Sequence, residues 1–253
     1  MRRMVSVLAM ASISLALVSC ANQQRRGPST KVINRVLQSA PGAAQPSTIV
    51  KTEIAYYKAA VEDGLFTASL DYATPGALQH GRNGPVPFEA IATSEKNPET
   101  PPEWGPKAVV MSCDGAIAIS QGRFRDAQGF VGNYVTAWAR QEDNSYKWIY
   151  DVAGRDNPQP PKRREFEDGA IVVTALSSIK GFVATCPPAG QSVPPPPPMP
   201  IGEEGKSDAK LSRDGTLRWR WEHRDDGTKY MKAEYFYEGA WETAIEESFA
   251  PSP

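Results

Sequence analysis

Apolar positions along this chain recur first at helical spacing and later at a period of two. Ile49, Ile54, Tyr57, Val61 and Leu65 fall at helical steps, which predicts an amphipathic helix capped by Ser47 or Thr48 and ended by Gly64. A second helix is expected over 65–72, stopped by Pro75-Gly76, and a third over 88–94, with a short strand and glycine-rich loop between them around 77–86. Pro98, Pro101, Pro102 and Pro106 then predict an irregular connection carrying Trp104. Beyond Lys107 the alternation predicts strands over 108–113, 116–123, 129–141 and 146–152, with turn chemistry at Asp114-Gly115, 126–128 and Asp143-Asn144. Three helices followed by a four-strand meander give an α+β layer, helices packed on one face of a curved antiparallel sheet, as one domain over 48–154.

The remainder is less regular. Residues 155–192 form an extension, with a basic, proline-broken loop over 156–164 and an apolar, β-branched run over 169–185 that suits a helix, a strand or both. A linker over 193–206 contains five consecutive prolines, a stiff spacer that is either a plain hinge or a docking site for a proline-binding partner. In 207–253, Leu217, Trp219 and Trp221 alternate with Arg218, Arg220 and Glu222, and Asp226-Gly227 turns the chain into strands over 229–237 and 240–246. Such a three-strand β-meander is marginal alone, so it is expected to dock on the main domain. Trp219, Trp221, Tyr235, Tyr237 and Trp241 suit a sugar- or peptide-binding platform or a buried interface, and their alternation favours the interface.

The first residues add a location. Arg2 and Arg3 precede an apolar run that closes on Leu17-Val18-Ser19-Cys20, a pattern of export signals and too short to remain as a membrane span. A cysteine at the cut site is the bacterial lipoprotein pattern. Residues 1–19 are expected to be removed, Cys20 to carry acyl chains that hold the protein stably, and 20–47 to serve as a tether. Ala21 in place of an aspartate favours the outer membrane, facing the periplasm. In that oxidising compartment Cys113 and Cys186 are an even pair, expected to form a disulfide, the alternative being two separate buried thiols. The formal net charge of -1 gives no basic face for nucleic acid. Two cysteines with two distant histidines, His80 and His223, match no zinc spacing, and no metal or cofactor is expected.

Two segments carry a resemblance. Glu53-Ile54-Ala55-Tyr56-Tyr57-Lys58-Ala59-Ala60-Val61-Glu62-Asp63-Gly64 resembles the first helix of SnoaL-like proteins. Tyr134-Val135-Thr136-Ala137-Trp138-Ala139-Arg140 with Trp148-Ile149-Tyr150-Asp151 resembles their closing hairpin. These belong to the nuclear transport factor 2-like, or cystatin-like, superfamily, and the likeness covers 48–154. It implies a cone-shaped sheet wrapped around helices, with a pocket at the wide end. Ketosteroid isomerases of that superfamily use a tyrosine on the first helix, and Tyr57 stands in a similar place; their carboxylate base is met here by Leu78-Gln79-His80-Gly81, which offers His80 and no acid.

The candidate pocket residues are therefore Tyr57, His80, Trp104 and Asp151. Each has a plainer role open to it: core packing for Tyr57, a hydrogen-bonded or surface position for His80, packing for Trp104, and capping or an arginine partner such as Arg140 for Asp151. Tyr56 and Tyr57 are adjacent, so at most one faces a pocket, and Asp114 is expected in a solvent-facing turn. The missing base favours a non-catalytic pocket that binds a small apolar ligand or an envelope protein. The alternatives are an isomerase- or lyase-type enzyme using Tyr57 with His80 or Asp151, and a structural protein that self-associates through the sheet face as a homodimer.

Overall fold

The computed structural model describes residues 44–161, 178–188, 190–198, 202–203 and 205–251. Cys20, the signal, most of the tether and much of the 155–192 extension lie outside these residues. Helix α1 (Pro46–Asp63) begins on a proline, whose fixed φ and missing N–H suit a first turn. The helix thus starts ahead of Ser47 and Thr48, and no side chain caps it. Gly64, at φ 96°, turns the chain directly into α2 (Leu65–Tyr72). A Cβ there would meet the Asn97 side chain, whose Oδ1 accepts the Phe66 N–H at 2.6 Å and so satisfies a first-turn donor. Helix α3 (Phe88–Ser94) follows the strands β1 (Ala73–Gly81) and β2 (Gly84–Pro87).

The buried stripe of α1 is not the expected one. Ile54 and Val61 are exposed, and the inward positions are Ile49, Glu53 and Ala60, with half-buried Tyr56 between them. These lie at i, i+4, i+7 and i+11, the same helical period rotated onto a different face.

Strands β3 (Glu103–Met111), β4 (Ile117–Arg125), β5 (Val131–Arg140) and β6 (Tyr146–Arg155) form the expected antiparallel meander. The full sheet is mixed rather than antiparallel. In the order β2-β1-β6-β5-β4-β3-β7, β1 joins β6 in parallel and β7 (Lys180–Val183) joins β3 in parallel. Trp104 sits on β3 and not on an irregular loop, because Pro106 is accommodated next to a register shift between Pro106 and Ala108.

The C-terminal unit has four strands, one more than expected: β8 (Ser207–Leu211), β9 (Leu217–His223), β10 (Lys229–Tyr237) and β11 (Ala240–Phe249), in the order β11-β10-β9-β8. It packs on the large sheet. Val110, Ile119, Val135, Tyr150 and Val152 on one side share a core with Trp219, Trp221, Met231, Ala233 and Tyr235 on the other. The opposite face of the large sheet carries Val109, Met111, Ala118, Trp138 and Trp148 against Ile49 and Phe88. The central sheet is thus covered on both sides, by helices and by a second sheet. The face turned away from the helices is covered by the C-terminal unit.

Cys113 and Cys186 form a disulfide, with Cα atoms 5.1 Å apart. Around it the 184–186 segment stitches the two sheets together: Ala184 N–H donates to Met111 O at 3.0 Å, and Thr185 N–H to Phe236 O at 2.8 Å. Two matching turns also meet here. Ser112-Cys113-Asp114-Gly115 and Ser212-Arg213-Asp214-Gly215 fold alike, each serine hydroxyl donating to its own aspartate, at 2.7 and 2.5 Å. They clasp each other through Cys113 N–H to Thr216 Oγ1 and Asp114 N–H to Asp214 Oδ2, both at 2.9 Å. Asp114 is buried here rather than turned to solvent.

Candidate functional site: an aromatic-walled cavity bearing Glu53 and Asp151

Between the helices and the inner face of the large sheet lies a cavity of about 240 Å³. Helix α1 contributes Glu53 and Tyr56, α2 contributes Leu65, Phe66 and Ser69, and β5 contributes Tyr134, Thr136 and Trp138 at alternate positions. The third wall is β6, with Trp148, Asp151 and Ala153. Strict alternation would put Trp148 and Asp151 on opposite faces. A bulge, seen as a register shift where Ala137 pairs with Tyr150 and Trp138 with Trp148, changes the phase and turns both side chains inward.

Each carboxyl has a hydroxyl partner from β5. Tyr134 donates to Glu53 Oε2, and Thr136 Oγ1 donates to Asp151 Oδ1 at 2.6 Å. Glu53 Oε1 is buried and has no hydrogen-bond partner among the described residues. Burial pushes the Glu53 pKa from 4.5 up to about 7, against a lowering pull from Ser120 and Tyr134. Burial also pushes Asp151 from 3.8 up to about 6, with Thr136 and then Lys229 pulling it down. The Tyr56 hydroxyl lies 2.5 Å from Ser69 Oγ, which donates to Leu65 O at 2.6 Å, so the tyrosine is the donor in that pair. Trp138 Nε1 donates to Ser120 Oγ at 2.9 Å. The site therefore offers apolar ring walls with three carboxyl groups, Glu53, Asp126 and Asp151, and burial pushes Glu53 and Asp151 up toward neutral pH.

The four residues singled out from sequence do not come together. Trp104 and Asp151 line the cavity. Tyr57 lies outside the lining, edge-on to Trp104 with ring centroids 5.0 Å apart, and its neighbour Tyr56 takes the inward place. His80 is on the other face of the sheet, 3 % exposed, with Nδ1 2.5 Å from the Tyr150 hydroxyl and Nε2 3.0 Å from His223 Nδ1. Burial, then His223 and Lys229, push its pKa down to about 3. It is a neutral link between the sheets and has no access to the cavity. Glu53, Tyr134 and Thr136 escaped sequence reasoning. The available signal for Glu53 was an acid in register with Ile49, Tyr56 and Ala60 on one helical stripe. Among the described residues no cluster of three or more histidine, cysteine, aspartate or glutamate side chains is arranged to hold a metal ion.

No protein-family model and no curated protein matches the chain. Among solved structures, a protein of unknown function with cystatin-like fold from Methylobium petroleophilum PM1 is similar, at 15% identity and a TM-score of 0.33, over 52% of this chain and 95% of that one.

Proposed function

We propose that this chain is a lipid-anchored protein of the bacterial cell envelope whose cavity binds a small, largely apolar molecule bearing a hydrogen-bond donor or a cationic group. The observation that carries the reading is Glu53 Oε1, buried in a cavity walled by aromatic rings and, among the described residues, left without a hydrogen bond of good geometry. Buried polar atoms in folded proteins almost always have partners, because leaving one unmade costs about 1–3 kcal/mol. A ligand donor placed on Oε1 supplies the missing bond, while Trp104, Trp138 and Trp148 bury its apolar part. A volume of about 240 Å³ lies just below the roughly 300–1,000 Å³ of drug-sized ligand pockets, so the ligand is small.

The anchor rests on the signal ending at Cys20. Labelling cells with a fatty-acid analogue tests it: incorporation should be lost in Cys20→Ser, and incorporation that survives the substitution rejects the anchor. The pocket is tested by thermal shift with matched small alkanes, alcohols and amines. Alcohols or amines should stabilise the protein more than alkanes of the same size, and Ala153→Leu, which narrows the cavity, should reduce the shift. Absence of any shift across the set rejects the binding reading.

One feature favours a catalytic second reading: Glu53 and Asp151 line one cavity, where burial pushes both carboxyls up toward neutral pH, as suits a general acid and base. That enzyme would use Glu53 with Asp151, since Tyr57 and His80 stand outside the cavity. Turnover of a bound ligand lost in both Glu53→Gln and Asp151→Asn, with binding retained, would select it.

A further inference from the structure

The outward face of the C-terminal sheet is covered by a segment of the chain that the cavity does not involve. After Cys186 the chain crosses this face, and residues 194–198 are all proline. Consecutive prolines adopt the polyproline II helix, with three residues per turn and no internal hydrogen bonds. Burial in the segment follows that period. Val193 and Pro196 are half-buried, while Pro194, Pro195, Pro197 and Pro198 are exposed. The carbonyl contacts follow it too. Pro194 O accepts from Trp241 Nε1 at 3.0 Å, and Pro197 O accepts from Arg218 Nη1 at 2.6 Å.

The two donors are built into one surface. Register places Arg218 opposite Glu234 and Phe236 opposite Trp241, so these four side chains share the face turned away from the large sheet. Arg218 is held in place by Glu234, which accepts from its Nε at 3.0 Å and also from Nη2. Its guanidinium lies 5.8 Å from the Trp241 ring centroid. Phe236 is only 8 % exposed although it faces outward. An indole N–H and a fixed guanidinium set one polyproline turn apart read the backbone carbonyls of such a helix. They require no particular side chain beyond that spacing.

We propose that the Arg218–Trp241 surface is a recognition site for proline-rich protein segments in the polyproline II conformation, occupied in cis by residues 193–198. The linker is then a built-in ligand as well as a spacer. A proline-rich segment of another protein binds when the cis segment is displaced.

The test uses the full chain with Pro194→Gly, Pro195→Ser, Pro197→Gly and Pro198→Ser, which abolishes the cis helix and leaves the sheet unchanged. The probe is a synthetic peptide of residues 191–198, Gln-Ser-Val-Pro-Pro-Pro-Pro-Pro, followed by calorimetry and by the Trp241 indole N–H resonance. A short tether acts at an effective concentration on the order of millimolar, so the opened chain should bind the peptide with a Kd of about 0.1 mM or lower and at least about tenfold more tightly than the intact chain. Trp241→Phe in the opened chain should weaken binding about tenfold, and a Gly/Ser peptide of equal length should not bind. Should the fourfold substitution not fold, Pro197→Gly alone serves, with an affinity expected between those of the intact and opened chains. The proposal is overturned if a folded opened chain ignores the peptide at millimolar concentration, if opening leaves the affinity unchanged, or if Trp241→Phe binds as well as its parent.

Discussion

Replacing Glu53 with glutamine keeps an acceptor for the Tyr134 hydroxyl and removes the ionisable proton. The folded protein holds that proton up to about pH 7, whereas the unfolded chain releases it near the ordinary 4.5. Below pH 4.5 both states are protonated and ionisation costs nothing. Between the two values the folded state binds more protons than the unfolded one, so stability falls as pH rises, and above pH 7 the whole cost is present. At roughly 1.4 kcal/mol per pK unit, the gap corresponds to about 3 kcal/mol at a residue 1 % exposed. The Glu53→Gln protein escapes this cost. In urea titrations at pH 4.5, 6 and 8, its stability relative to the parent should rise by about 3 kcal/mol across the series. Asp151 is raised as well, but it is present in both proteins and cancels in the difference to first order. A difference that stays flat with pH would refute the reasoning, since it would mean that Glu53 ionises freely in the folded chain and that the cavity is wet.

Three further outcomes follow from the same geometry. His80, pushed down to about 3, stays neutral in the folded chain while an unfolded histidine protonates near 6.5, so stability is lost as pH falls through that window. His80→Gln should therefore move the acid-unfolding midpoint in near-UV circular dichroism to lower pH, and an unmoved midpoint contradicts the assignment. Reducing the Cys113–Cys186 bridge, with a sequence separation of 73, should cost about 4 kcal/mol by the chain-entropy estimate; equal urea midpoints with and without reductant would exclude this. Gly132→Ala places a Cβ 2.2 Å from Gly154 O and 2.5 Å from the Phe124 ring, for an expected loss of about 1–3 kcal/mol. Gly105→Ala, with no atom within 4 Å of its Cβ, serves as the control, and equal thermal shifts would argue against the close packing.

Helices α2 and α3 were legible residue by residue because strong punctuation bounds them: Gly64 on one side, Pro75-Gly76 on the other, and Pro87 before Phe88. The meander was legible from its period and turns. What failed had specific physical causes. The helical period of α1 is correct, yet its buried face contains a glutamate, and a reading that seeks apolar residues selects Ile54 and Val61 instead. Four prolines before Lys107 suggested a loop, but a bulge lets β3 run through Pro106. The parallel partners β1 and β7 join strands far apart in the chain, which local patterns do not encode. The disulfide was accessible to counting once Cys20 was assigned to lipid. The repeat of Ser-x-Asp-Gly at 112 and 212 was also in plain view, and it marks where the two sheets clasp. Asp151 was identified as a candidate, but its inward direction depends on the bulge near Ile149, which periodicity places on the wrong face.

That bulge has a consequence for how the layers depend on one another. Tyr150 and Asp151 are neighbours on β6 that face opposite ways. Tyr150 meets His80 at 2.5 Å and stacks near Trp221 in the joint between the sheets, while Asp151 faces the cavity. Lys229, on the second sheet, donates to Ala153 O at 2.7 Å and holds the Asp151 pKa down from the far side. Undocking the C-terminal sheet would remove that cation and open the His80 joint together. The charge state of the cavity is therefore set partly by a layer that contributes no residue to its lining. The C-terminal sheet belongs to the site electrostatically, which a reading of that unit as an appendage would miss.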